Sequence, residues 1–204
     1  MIAILDYGLG NLGSISNMYK VIGEKSKITN DVEILRNADG IILPGVGAFD
    51  AGMNELEKNG LADVIKDEAK KGKPILGICL GMQLLGNRSE EGDMQGLSLI
   101  PFECRRFNFE DKSLKIPHMG WDIVSFKKQH PLIDGLVGQQ RYYFVHSYYA
   151  VCENTDNVLM TCDYGTEFAC SVVKDNVMGV QFHPEKSHDF GLALLTNFVK
   201  ICKA

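Results

Sequence analysis

The chain has 204 residues, of which 45% are hydrophobic and 23% are charged, and its formal net charge is −5. These values are typical of a globular protein, and we expect one domain spanning residues 1–204. The acidic balance argues against a nucleic-acid or anionic-membrane partner, and no apolar run reaches the roughly 18 residues of a membrane helix. Because the start, MIAILDYG, also lacks a basic signal-peptide region, we predict a soluble cytoplasmic protein.

Short apolar runs alternate with amphipathic stretches in the first half of the chain. The runs IAIL (2–5), GIIL (40–43) and PILGI (74–78) are bounded by Asp, Pro or Gly, which is typical of strands buried on both faces of a parallel sheet. Apolar residues recur with helical spacing over residues 12–22 and 61–69. The sequence therefore predicts a βαβ(α)β arrangement with parallel strands.

A glycine-rich segment, GLGNLG (8–13), follows the first strand and spells the G-x-G-x-x-G pattern of dinucleotide-binding proteins, with Asp31 at about the required distance. We disfavour that function because Asp6, at the strand end, would oppose a pyrophosphate. The second half of the chain also lacks the repeated βαβ unit of that fold. We therefore expect no cofactor.

Cys79 lies at the end of the third predicted strand, in the pattern Gly77-Ile78-Cys79-Leu80-Gly81. This pattern matches a nucleophile elbow, a strained strand-to-helix turn in which flanking glycines relieve crowding. Such a turn places the sulfur at a helix N-terminus, which favours the thiolate, and points the Leu80 N–H at an oxyanion beside it. The alternative is a small core cysteine in a Gly-rich turn. The six cysteines show no zinc-site spacing, so no metal is expected.

The second half changes to short β-rich runs at residues 142–151, 168–173 and 177–182, before a final helix that ends near Cys202. We therefore predict an α/β fold, a single three-layer domain whose largely parallel central sheet carries additional mixed β strands.

The segment VQFHPE (180–185) supplies a base and a carboxylate. On an extended segment residues i and i+2 face the same side, so Glu185 can orient His183. Strand ends of a parallel sheet meet at one edge, so this pair can reach Cys79. The loop LPGVGAF (43–49) can present a second oxyanion donor, at Val46 or Gly47. The alternatives are an exposed His-Pro-Glu turn and a purely structural Gly-Pro turn.

Together, GICLGMQLL (77–85), HPE (183–185) and LPGVGAF resemble the class I (triad) glutamine amidotransferases, whose fold is flavodoxin-like, and the resemblance runs essentially from end to end. Within that class, three further segments are similar to the glutaminase subunits of imidazole glycerol phosphate synthases: DYGLGNLGS (6–14), PHMGW (117–121) and YYFVHSY (142–148).

The resemblance implies that glutamine is hydrolysed to glutamate and ammonia through a thioester on Cys79. His183 would be the general base and then the acid, and Glu185 would orient it. The resemblance further implies a substrate pocket that contains Gln83, with Glu91 and Ser147 as weaker candidates.

The resemblance also implies a partner, a (β/α)8-barrel cyclase that uses the ammonia to make imidazole glycerol phosphate in histidine biosynthesis. The interface candidates are Asn11, His118 and Trp121. Asp122 stands where asparagine is more usual in this family, which leaves open a paralogous acceptor synthase, for example in surface-sugar modification. A cysteine peptidase and a regulatory binding module are further alternatives. A substrate screen would identify a peptidase, which should not need glutamine, and a binding module would tolerate the loss of Cys79.

Overall fold

Parallel strands and helices alternate through the first half of the chain, as the apolar runs predict. The computed structural model describes residues 1–204. Its first elements are β1 (Ile2–Leu5), α1 (Leu12–Ile22), β2 (Ser26–Thr29), α2 (Val32–Asn37), β3 (Gly40–Leu43), α3 (Phe49–Lys58), α4 (Leu61–Lys70), β4 (Ile75–Ile78) and α5 (Leu80–Leu84).

Short strands dominate the second half until the last helix. The elements are β5 (Arg88–Ser89), β6 (Phe102–Arg106), β7 (His118–Phe126), β8 (Arg141–His146), β9 (Tyr148–Cys152), β10 (Val158–Asp163), β11 (Glu167–Lys174), β12 (Val177–Val180) and α6 (His188–Cys202). Three 3-10 turns lie at Pro131–Ile133, Thr155–Asn157 and Pro184–Lys186.

One mixed sheet runs through both halves, in the order β2-β1-β3-β4-β12-β11-β10-β7-β8. The strands from β2 to β12 are parallel, and those from β12 to β8 are antiparallel. A second branch joins β9 to β11, β6 to β9 and β5 to β6. The late strand β12 thus lies in the middle of the sheet, where Val180 pairs with Ile78 of β4.

The parallel strands are buried on both faces, and each face packs against helices. Ile2 and Ile4 of β1 belong to a cluster of 27 buried residues that includes side chains of α1 and α6. Ala3 and Leu5 point the other way, into a second cluster of 27 that includes side chains of α2 to α5. This alternation places helices on both faces of the sheet, which gives three layers and confirms the predicted α/β fold. Each fully buried aliphatic side chain in these layers stabilises the fold by about 1.5–3 kcal/mol.

The structure differs from the sequence predictions at several elements. The helices α2 and α3 and the strands β5, β6, β7 and β10 lie outside the predicted runs. β2 has the polar sequence SKIT and was not predicted. The run 142–151 is two strands, β8 and β9, divided at Ser147. The strand predicted over 177–182 ends at Val180. None of the helices in the structure is long and apolar enough to cross a membrane.

Candidate active site

Two neighbouring parallel strands end at the same edge of the sheet and bring the predicted site residues together. β4 ends at Ile78 and β12 ends at Val180, and these two residues are paired in register. The Cys79 N–H donates to the Val180 carbonyl at 2.8 Å, which ties the start of the elbow to the end of β12. His183 follows three residues later, so the topology delivers both segments to one place.

The backbone of Cys79 is strained, with φ 54° and ψ −112°, a conformation that non-glycine residues rarely adopt. The flanking glycines permit the close contacts of this turn. A Cβ atom on Gly81 would lie 1.8 Å from the Leu43 carbonyl oxygen, and one on Gly77 would lie 2.6 Å from the Gly81 carbonyl oxygen. Both glycines are therefore required for close approach of backbone to backbone.

His183 and Glu185 form a buried pair in which Nδ1 of the imidazole lies 2.7 Å from Oε1 of the carboxylate. Their side chains are 3% and 1% exposed, and His183 Nε2 has no hydrogen-bond partner in the protein. The extended geometry expected for this segment is wrong, because Pro184–Lys186 forms a 3-10 turn. That turn brings the carboxylate back to the ring.

The charge balance around His183 favours its protonated form. Burial lowers the pKa of His183, but the interactions with Cys79 and Glu185 outweigh burial and raise this pKa to about 9. The imidazole of His183 can therefore hold a proton beside the Cys79 sulfur.

A cavity of about 300 Å³ opens at the elbow, within the size range of small-molecule sites. Eight of its lining residues were predicted for the site: Val46, Gly47, Cys79, Leu80, Gln83, Glu91, Ser147 and His183. Five were not: Pro117, Val145, His146, Tyr148 and Lys186. Three of these five, Val145, His146 and Tyr148, flank the junction of β8 and β9 at Ser147. Glu185 lies outside the lining, behind His183.

Gln83, the main candidate for the substrate pocket, is buried. Its Nε2 donates to the Tyr148 carbonyl at 3.3 Å and to Gln181 Oε1 at 3.0 Å. Glu91 also lines the cavity, and its Oε2 accepts from the Phe49 N–H at 2.9 Å, which fixes the carboxylate. The cavity thus has a fixed amide and a fixed carboxylate, groups able to bind an ammonium and other polar substituents.

A chain of polar groups runs from the surface to the cavity wall. Asp122 Oδ2 lies 2.7 Å from His118 Nε2, His118 Nδ1 lies 3.0 Å from His146 Nε2, and His146 Nδ1 lies 2.8 Å from the Tyr148 carbonyl oxygen. The His118 side chain is only 1% exposed, because these polar contacts hold it inside the protein. The prediction that His118 lies at a partner interface is therefore wrong. Burial, together with the nearby His118 and His183, lowers the pKa of His146 to about 3, although the Tyr148 carbonyl acts in the opposite direction.

The other two interface candidates are on the surface. Trp121 is 40% exposed and stacks on His188, with ring centroids 5.5 Å apart and planes 3° apart. Asn11 is exposed at the start of α1, and its side chain makes no capping hydrogen bond. Its neighbour Gly10 packs closely on Pro44, because a Cβ there would lie 3.1 Å from the Pro44 Cβ.

The fold and the site are those of the class of α/β proteins that carry a cysteine, a histidine and a carboxylate at the carboxyl edge of a parallel sheet. More narrowly, the chain belongs to the class I glutamine amidotransferase family, whose family model it matches over residues 3–202.

Similar proteins agree with this assignment. The chain is 53% identical over 201 residues to imidazole glycerol phosphate synthase subunit HisH 2 of Methanococcus maripaludis, covering 98% of this chain and 99% of that protein. It is 50% identical over 202 residues to the protein of the same description from Pseudomonas aeruginosa, covering 98% and 100%. A solved glutamine amidotransferase structure superimposes with a TM-score of 0.78 at 18% identity, covering 100% of this chain and 99% of that one, and so supports the fold.

Proposed function

We propose that this protein is the glutamine amidotransferase subunit of an imidazole glycerol phosphate synthase. It would hydrolyse glutamine and pass the ammonia to a cyclase subunit in histidine biosynthesis. The observation that carries the proposal is the strained Cys79 elbow beside the buried His183–Glu185 pair, in a chain about half identical to proteins described as subunits of that synthase.

In the proposed reaction the Cys79 thiolate attacks the side-chain amide carbon of glutamine and forms a tetrahedral oxyanion. The first N–H groups of α5, beginning at Leu80, have no partner within the helix, and with the backbone at Val46 or Gly47 they would stabilise that charge. His183 protonates the leaving nitrogen, ammonia departs, and a thioester remains.

The second half of the reaction uses the same groups. His183, now neutral, takes a proton from a water molecule that attacks the thioester carbon, and the collapse of the second oxyanion releases glutamate and the cysteine sulfur. Glu185 holds the Nδ1–H of His183 throughout, so Nε2 remains free to carry the proton. Gln83, Glu91 and Ser147 would hold the α-amino and α-carboxylate groups of glutamine.

An exposed apolar strip beside the cavity supports the proposed partner, a (β/α)8-barrel cyclase bound as a heterodimer. Met119, Trp121 and Ile123 alternate along one face of β7 and are 60%, 40% and 48% exposed. Contiguous exposed apolar surface of this kind marks interaction sites. The strip adjoins Pro117, which lines the cavity. A partner bound there would cover the mouth of the site and receive the ammonia.

The test is Cys79→Ala in a reconstituted complex with the cyclase, with Cys104→Ala as the matched control because Cys104 is a buried cysteine outside the cavity. We expect Cys79→Ala to abolish synthesis from glutamine and to leave synthesis from added ammonium intact, while Cys104→Ala retains both. Loss of both reactions in an intact Cys79→Ala complex would contradict the proposed division of labour. Failure of the wild type to support any cyclase would point instead to a different acceptor synthase.

The proposed interface is tested by Trp121→Ala and Met119→Ala. We expect each to weaken association with the cyclase, measured by calorimetry, by at least tenfold, because truncation of buried aromatic and Met anchors commonly costs that much. Val21→Ala is the control: Val21 is 70% exposed but lies near the end of α1, away from the site edge. Equal weakening by all three substitutions would argue against the strip.

A further inference from the structure

The side chain of Gln181 lies against the candidate nucleophile and is completely buried, with 0% exposure. Its Nε2 is 3.7 Å from Cys79 Sγ, and its Oε1 is 3.0 Å from Gln83 Nε2. The Gln181 backbone N–H donates to the Cys170 carbonyl at 2.9 Å, which anchors the residue just beyond β12. Both ends of the buried amide are therefore engaged.

A backbone carbonyl sets the direction of these hydrogen bonds. The Tyr148 carbonyl can only accept, so the Gln83 atom facing it must be the NH₂ group. The second hydrogen of that NH₂ group points to Gln181, whose facing atom must then be Oε1. The Gln181 NH₂ group is left facing Cys79 Sγ, and because an amide NH₂ only donates, the sulfur is the acceptor.

We propose that Gln181 is a positioning residue that acts through Cys79, by donating a side-chain N–H to the sulfur and stabilising the thiolate relative to the thiol. A hydrogen bond to the charged form of a group favours that form. The same amide fixes Gln83 with its Oε1 free to accept from a ligand. This inference rests on the proposed role of Cys79 as the nucleophile.

The test measures the rate at which iodoacetamide alkylates Cys79 in the full chain as a function of pH, followed by mass spectrometry of the Cys79 peptide. In Gln181→Met the donor is lost while the volume is kept. We expect the thiol pKa to rise by about 0.5–1 unit, and alkylation below that pKa to slow about 3- to 10-fold. Gln181→Glu still accepts from Gln83 but turns an acceptor with a like charge toward the sulfur, so we expect a larger rise.

Gln140→Met is the matched control, because Gln140 is a buried glutamine outside the cavity, whose Nε2 donates to the Val137 carbonyl. We expect its pH profile to equal that of the wild type. If both Gln181 variants fold and also keep the wild-type profile, the inference is overturned.

Two further readouts separate the possible failures. If wild-type Cys79 is alkylated no faster than the half-buried Cys152 and Cys202, the proposed function itself fails. If the Gln181 variants do not fold, NMR of the wild type decides: we expect the side-chain amide resonances of Gln181 to shift with the thiol titration. Resonances that stay constant through that titration would overturn the role of Gln181 while leaving the proposed function standing.

Discussion

The backbone at Gly81 is packed so tightly that a single methyl group cannot be accommodated. Its Cβ would lie 1.8 Å from the Leu43 carbonyl oxygen, so Gly81→Ala must displace the elbow or β3. We expect a loss of about 2–3 kcal/mol in the free energy of unfolding and at least a tenfold loss of glutaminase activity. Gly13→Ala is the control. Nothing lies within 4 Å of its Cβ in α1, and it should gain about 0.5–1 kcal/mol. Urea unfolding and a glutaminase assay measure both, and similar losses in the two variants would contradict the prediction.

The row of polar groups from Asp122 to Tyr148 makes three contacts, but two neutral imidazoles carry only two hydrogens for them. Its three contacts need three hydrogens, its ends are a carboxylate and a carbonyl that only accept, and each neutral imidazole carries one hydrogen. Because burial lowers the pKa of His146 to about 3, an added proton binds His118 and not His146. Burial also lowers the pKa of His118, and Asp122 counteracts that effect.

We therefore expect ¹⁵N NMR titration to show His118 becoming doubly protonated only below its ordinary pKa of 6.5, while His146 stays neutral down to about pH 3. Asp122→Asn supplies the missing hydrogen from its amide, so in that variant both imidazoles should be neutral with the hydrogen on Nδ1. Protonation of His146 before His118 as the pH falls would contradict the prediction.

Among the secondary-structure elements, α4 is tied to α2 through the buried Glu68 carboxylate and the side chain of Lys73, which lies in the loop before β4. The Glu68 side chain in α4 is 3% exposed and binds Lys73 and Lys71, each at 2.7 Å. Lys73 Nζ also donates to the carbonyls of Leu35 and Arg36 near the end of α2, at 2.7 and 2.6 Å. Burial raises the pKa of Glu68, but the two lysines outweigh burial and hold this pKa below its ordinary value of 4.5.

We expect Lys73→Met to lower the free energy of unfolding by about 3 kcal/mol, since it leaves a buried carboxylate and two carbonyls without their shared donor. Lys71→Met is the control: Lys71 is 62% exposed, and its loss should cost no more than about 1 kcal/mol. Because the folded pKa of Glu68 is lowered, the Lys73 contribution should be present above pH 4.5 and should fade as the pH falls below it. If Lys73→Met lowers the free energy of unfolding at pH 7 no more than Lys71→Met does, the proposed role of Lys73 is wrong.

Elements with a strong local signal could be predicted from the sequence, whereas those formed by distant pairing could not. The apolar strands β1, β3 and β4 show their burial directly in sequence. β2 is a polar edge strand that exists because β1 lies beside it, so its sequence does not reveal it. The turn at Pro184–Lys186 forms where the chain leaves β12, and an extended pattern was the wrong expectation for it.

For the site, spacing predicted the elbow but not what covers it. Gly77, Cys79 and Gly81 carry a local steric requirement that can be read from sequence. The cavity wall formed by residues 145–148 depends on the break between β8 and β9 at Ser147. The burial of His118 depends on the pairing of β7 with β8. Both are properties of the assembled sheet.

At the scale of the whole molecule, β12 joins the parallel half of the sheet to the antiparallel half. It pairs with β4 on one side and β11 on the other, and all four of its residues are buried. We expect a chain ending at Lys174 to lose cooperative unfolding and to aggregate, because β4 and β11 would expose apolar edges. A chain lacking only Lys203 and Ala204 should unfold cooperatively, as monitored by circular dichroism. A cooperative transition in the shorter chain would disprove this requirement.

The central place of β12 also orders events in time. During translation the cysteine of the elbow emerges early, whereas the strand that fixes the elbow and the turn that carries its histidine and glutamate are made near the end. With the roles proposed for Cys79 and His183, the nascent polypeptide holds its thiol without a base, and we expect the reaction to be switched off in every unfinished copy of the protein.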